Sequence, residues 1–248
     1  MVLRSSQSEQ KLPSIEMLPD SLKVLLNKIK QQHYAELYEL EADGTTSLQD
    51  DLNEILQAFR ISNQTLTHLR YVWMTLILLL VVEPTLEYYQ PKDSSPTDII
   101  LEISLWLIAN TKKILNDEVK TIEFDDRELL KKDIIGNYDL SHDTNKNPVS
   151  LQVLYEAQDV FKNAIRVLDY EQSVEAIIEI LDDCLEGYAI FPGSYGRREL
   201  FEWWLLEVVP ASWFLLMPKS FYVVEDLPNK EEIRLRQIRI MEKIIYFL

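Results

Sequence analysis

Glycine, cysteine and histidine are all scarce in this chain. Five glycines in 248 residues are few for the phosphate and crossover turns of a doubly wound α/β fold. The single cysteine, Cys184, excludes an intrachain disulfide and a cysteine-based metal site. It suits a reducing, cytoplasmic setting. The three histidines, His33, His68 and His142, fall in no Glu-x-x-His or His-x-x-x-His arrangement, so helical di-iron and zinc-protease sites have no support. No Walker or dinucleotide fingerprint occurs, and no local Ser–His–Asp or Cys–His signature. No cofactor and no metal site are expected. Long apolar runs are also missing. The longest, Tyr71 to Val82, is broken only by Thr75. It spans about 18 Å as a helix against roughly 30 Å of hydrocarbon, which favours a core helix over a membrane span. Met1 to Lys11 is polar and lacks the apolar segment of a secretory signal.

What the chain does have is negative charge. Its 41 acidic and 25 basic residues leave a formal net charge of −16. Such a field repels nucleic-acid phosphates and anionic lipid, and draws in basic proteins. The charge is densest on one predicted helix, about Asp169 to Tyr188. At roughly 100° per residue, Glu171, Glu175, Glu179, Asp182, Asp183 and Glu186 fall within an arc of about 120°. Val174, Ile177, Ile178, Leu181 and Leu185 gather on another face. The pattern predicts a helix that packs on one side and presents an anionic stripe on another. Cys184 lies at the flank of the apolar arc, a small buried hydrophobe whose thiolate the adjacent acids disfavour.

Apolar residues make up 47% of the chain, enough for a packed core. Helical spacing dominates and strand-like alternation is nearly absent. The predicted fold is all-α, a compact multi-helix bundle or irregular helical array of about seven to eight helices. Residues 1–14 read as a flexible lead-in. Residues 15–248 form one helical domain, or two lobes at 15–116 and 149–248 joined by a polar connection at 117–148. The predicted helices run from Asp20 or Ser21 to Leu40, from Ser47 past Phe59, and from Ser62 or Asn63 to Glu83, where Pro84 stops the third. Pro91 to Pro96 reads as a loop before a fourth helix from Thr97 or Asp98 to Asn116. A short helix near Asp126 to Ile135 and a loop over Ser141 to Pro148 precede a fifth, which starts near Ser150. The acidic helix is the sixth. A seventh spans Tyr195 to Val209, before Pro210. Phe221 to Val224 has strand character, and a last helix runs from Asn229 or Lys230 to the end.

Chemistry has one further candidate location. Gly187, Gly193 and Gly196 cluster around Pro192. Ser194 fits the N-cap of the next helix, and Gly196, Arg197 and Arg198 fit an anion site built on its unpaired amides. The competing expectation is a tight connection whose arginines pair with nearby acids. Glu207 projects between Leu200, Trp203 and Trp204, so its carboxylate must be paired, protonated or open to a cleft. It is the candidate catalytic acid, with an ion pair to Arg197 as the structural alternative. The aromatics Phe201, Trp203, Trp204, Trp213 and Phe214 read as core. His68 and Thr75 share a helix side near Glu83 as a polar strip. The last helix, with Lys230, Arg234, Arg236, Arg239 and Lys243, is the electrostatic complement of the acidic helix and a candidate cover for it.

These features predict a non-catalytic acidic protein that docks a basic protein partner, in an inhibitor, immunity-like or adaptor role. Glu171, Glu175, Glu179, Asp182, Asp183 and Glu186 would bind, and Tyr170 or Tyr188 would anchor. Nucleic acid and membrane are not expected partners. The alternative is a small-molecule-binding protein or enzyme with its anion site at the turn 193–198. A structural subunit that self-associates through residues 211–224 or the C-terminal helix is a third reading.

Overall fold

The computed structural model describes residues 13–36, 48–60, 63–115, 148–185, 189–190, 197–223 and 229–248. Among them the chain forms eight helices and no strand, an all-α helical array. In chain order they are α1 (Asp20–Glu36), α2 (Leu48–Ala58), α3 (Gln64–Tyr89), α4 (Ser95–Leu115), α5 (Pro148–Arg166), α6 (Tyr170–Leu185), α7 and α8 (Lys230–Phe247). Helix α7 is composite: Arg197–Trp203, a π turn at Trp204–Val208, then Val209–Phe214.

Helix α3 is the axis around which the others pack. Asn63 caps its start, accepting a hydrogen bond from the Leu66 N–H at 3.0 Å. From Leu69 to Val82 every side chain is buried. A helix apolar all round belongs in the centre of a helical array, and α4, α5, α6, α8 and the last turns of α7 all pack on it. By length and composition α3 could cross a membrane, but 83% of its most apolar window is buried against the other helices. One cluster of buried apolar side chains runs from Leu18 through Leu52, Trp73, Ile103, Phe161, Ile177 and Trp204 to Ile244. Both halves of the chain contribute to that core.

Pro84 does not stop α3, which continues to Tyr89. A proline inside a helix leaves the carbonyl four residues earlier without its donor. Here that carbonyl is Leu80 O, and buried Gln237 on α8 donates its Nε2–H to it at 2.7 Å. A side chain from another helix replaces the missing backbone donor. Helix α4 likewise starts earlier than predicted, at Ser95, because Asp93 Oδ1 accepts from both the Ser95 N–H (2.9 Å) and Oγ–H (2.6 Å), and Pro96 suits a first turn.

Helix α7 also continues past the predicted stop at Pro210, to Phe214. The π turn lies immediately before this proline, and the Val209 N–H reaches back to Trp204 O. One extra residue in the turn relieves the crowding a proline ring imposes on a regular helix. Residues 221–223 form no strand. Phe221 and Val223 are buried, so their apolar character is spent within the chain. Leu37 to Leu40, the predicted segment 126–135 and the polar connection lie outside the described residues.

An acidic face on the α5–α6 hairpin

Helices α5 and α6 are joined by three residues, Val167 to Asp169, and lie against each other as a hairpin. Asp169 caps α6, accepting from the Glu171 N–H at 3.1 Å and Gln172 Nε2 at 2.8 Å. The apolar side of α6 is buried through Ala176, Ile177, Ile180, Leu181, Cys184 and Leu185. Glu171, Glu175 and Asp182 are exposed, and Glu179 and Asp183 half-buried. Glu186 lies outside the described residues.

The hairpin adds charges that the spacing on one helix does not reveal. Arg166, at the end of α5, donates from Nη1 to Glu179 at 2.6 Å and approaches Glu175 Oε2 at 3.6 Å. Asn163 Oδ1 accepts from the same Nη1 at 2.8 Å. Farther along, Glu156 and Asp159 of α5 stand opposite the end of α6 and act on Asp183. Burial first, then Asp159, Glu156, Asp182 and Glu179, raise the Asp183 carboxyl from 3.8 to about 7. The nearest cation on that stretch, Lys162, is engaged with Asp159 Oδ1 at 2.6 Å on the open surface. Glu171, Asp182 and Asp183 make no ion pair among the described residues. Tyr155, on α5 beside Glu156, is 59% exposed, and Ile165 is 53% exposed. Of the two aromatics named from sequence, only Tyr170 is described, and it does not take that place. Tyr170 packs its ring on His68, with centroids 5.4 Å apart, and Tyr188 lies outside the described residues.

Among the described residues, helix α8 makes no ion pair with the α6 acids that its charge complements. It packs on α3 and α4. Its Arg236 is committed to Glu83 and to Glu87 (Nη1–Oε2 3.2 Å), and Arg234 pairs with Glu231 at 2.7 Å. Burial raises the Glu83 carboxyl and brings that of Glu87 up to about 7, against the opposing pull of Arg236.

Ser194 and Gly196 lie outside the described residues, and Arg197 and Arg198 occupy the first turn of α7. Glu207 is tied to the returning chain: its Oε2 accepts from the Ser220 N–H at 2.7 Å and Oγ–H at 3.0 Å. Trp203 Nε1 donates to Ser220 O at 2.8 Å. These two residues together clamp the segment after α7.

The polar strip predicted on α3 is split among separate partners. The His68 Nε2 lies 2.7 Å from Val167 O, Thr75 Oγ1 donates to Tyr71 O at 3.0 Å, and Glu83 pairs with Arg236. Burial lowers the His68 pKa, with Val167 O and Asp169 pulling the other way. Arg70 is buried and meets no carboxylate among the described residues. Its guanidinium stacks 3.6 Å over the Trp213 ring and donates to Trp213 O at 2.8 Å, which places the charge at the negative end of α7. Burial lowers it to about 10. Cys184 is buried, and burial followed by Asp183 raises its thiol well above the usual range. No group of three or more metal-ligating side chains converges among the described residues.

Comparison with protein-family models, curated proteins and solved structures finds no significant match to this chain.

Proposed function

We propose that the protein is a non-catalytic binding module that docks a basic protein through the α5–α6 face. The observation that carries this reading is the excess of acid on that hairpin: Glu171 and Asp182 have no cationic partner among the described residues, and Asp183, raised to about 7 by burial first and then by the acids around it, has none either. A Lys- or Arg-rich surface supplies the missing countercharge and speeds encounter. Exposed Tyr155, on α5 next to Glu156, provides apolar anchor area for such a partner. Arg166 holds Glu179 in place and so organises the surface without neutralising it.

The test uses charge reversal away from the Arg166 bridge. Glu171→Lys with Asp182→Lys inverts the open ends of the face, while Glu16→Lys, exposed before α1, changes net charge elsewhere. A basic protein retained from cell extract at low salt should be lost in the double variant and in high salt, and kept by Glu16→Lys. Equal retention by the wild type and the double variant contradicts the reading.

A further inference from the structure

Helix α8 carries a second surface, apart from the hairpin. Ile233, Gln237, Ile240, Met241 and Ile244 are buried on the side that packs on α3 and α4. The opposite side is open. Leu235, Arg239, Glu242 and Tyr246 follow one another at spacings of four, three and four residues, so at roughly 100° per residue they fall within an arc of about 60°. All four are exposed, Leu235 by 57% and Tyr246 by 84%. Arg239 donates from Nε to its own helix, at Leu235 O (3.2 Å). Neither Arg239 nor Glu242 makes an ion pair among the described residues.

This stripe is complementary to itself. Read from either end it runs apolar, charged, charged, apolar, and the two charges are opposite in sign. An antiparallel α8 from a second copy sets Leu235 of one chain against Tyr246 of the other and Arg239 against Glu242, each contact made twice about a two-fold axis between positions 240 and 241. A parallel partner would set arginine against arginine and glutamate against glutamate. The net charge of −16 drives whole copies apart, but α8 has five cations to three acids, the most positive balance of the described helices. Repulsion is therefore least where two α8 faces meet. We infer that the open face of α8 is a self-association surface on which a second copy of this chain docks its own α8 antiparallel, with Arg239 and Glu242 paired across the axis. An exposed tyrosine at each end is a suitable apolar anchor. A helix of this length spans about 27 Å and is about 10 Å across, too little to reach the roughly 800 Å² per partner of a standard interface. The dimer is accordingly weak and forms at high protein concentration.

The test is sedimentation equilibrium of the intact protein at moderate salt, from about 10 μM to about 1 mM, where a monomer–dimer equilibrium is expected. Arg239→Glu sets acid against acid and Glu242→Arg sets cation against cation. Each should weaken the dimer at least about tenfold, although they change the net charge in opposite directions. Tyr246→Ala should weaken it as well. All three positions are exposed, so the variants should fold. An equal mixture of the two single charge variants, and the chain that carries both changes, should regain association, because opposite charges face each other again. Glu171→Lys with Asp182→Lys should keep the dimer, which separates this surface from the hairpin and from docking of α8 on another copy's acidic face. A monomer throughout the range, undiminished association in any of the three single variants, no recovery in the mixture or the double exchange, or loss of the dimer in the hairpin variant would each overturn the proposal.

Discussion

Asp183 is the residue where the surface and the core meet. Its neighbour Asp182 is exposed and Cys184 is buried, so its own carboxyl sits half in water with like charges around it. Because its folded pKa is raised from 3.8 to about 7, the folded state holds a proton across that window that the unfolded chain has released. Stability therefore falls as pH rises through it. Thermal unfolding should show a melting temperature that declines between about pH 4 and about pH 7, and Asp183→Asn should make that decline shallower. A variant whose profile overlays the wild type would mean that Asp183 is not perturbed. The α6 acids were legible in the sequence because 3.6-residue spacing places them without knowledge of any neighbour. Arg166 and Asp159 were not, because their roles depend on the turn of the hairpin and the register in which α5 returns against α6.

At the scale of the element, the two internal prolines mark where reasoning from local sequence stops. Pro84 and Pro210 are breakers by any single-helix argument. Helix α3 survives its proline through a donor 153 residues away in the chain, counted from Pro84 to Gln237, and α7 absorbs its own with a π turn. Neither device leaves a local signal. The α3 device makes a testable pair. Gln237→Leu leaves Leu80 O buried without a donor, a loss of about 1–3 kcal/mol, partly offset because the unpartnered Gln237 Oε1 goes with it. Pro84→Ala restores the backbone N–H. Urea unfolding of both single variants and the double should show that Gln237→Leu costs less in the Pro84→Ala background, with a coupling of about 0.5 kcal/mol or more. Strict additivity would show that Gln237 does not stand in for the proline's missing donor.

For the whole molecule, composition and periodicity were enough to establish an all-α array, since scarce glycine and near-universal helical spacing leave little else. They could not place α8. Its cations complement the acidic helix on paper, but its apolar positions Ile233, Ile240, Met241 and Ile244 are buried, and it packs on α3 and α4 with Arg236 bound to Glu83 and Glu87. Among the described residues α8 makes no ion pair with the α6 acids, and the net charge of −16 adds long-range attraction for cations to the local excess there. The most direct measurement is a residue-resolved NMR titration of the intact protein with a short Lys- and Arg-rich peptide at low and at high salt. Shifts should concentrate on residues 155–159 and 171–183 and collapse in high salt, as screening predicts. Shifts centred on another surface, or a pattern on the hairpin that salt does not weaken, would contradict an acidic docking face.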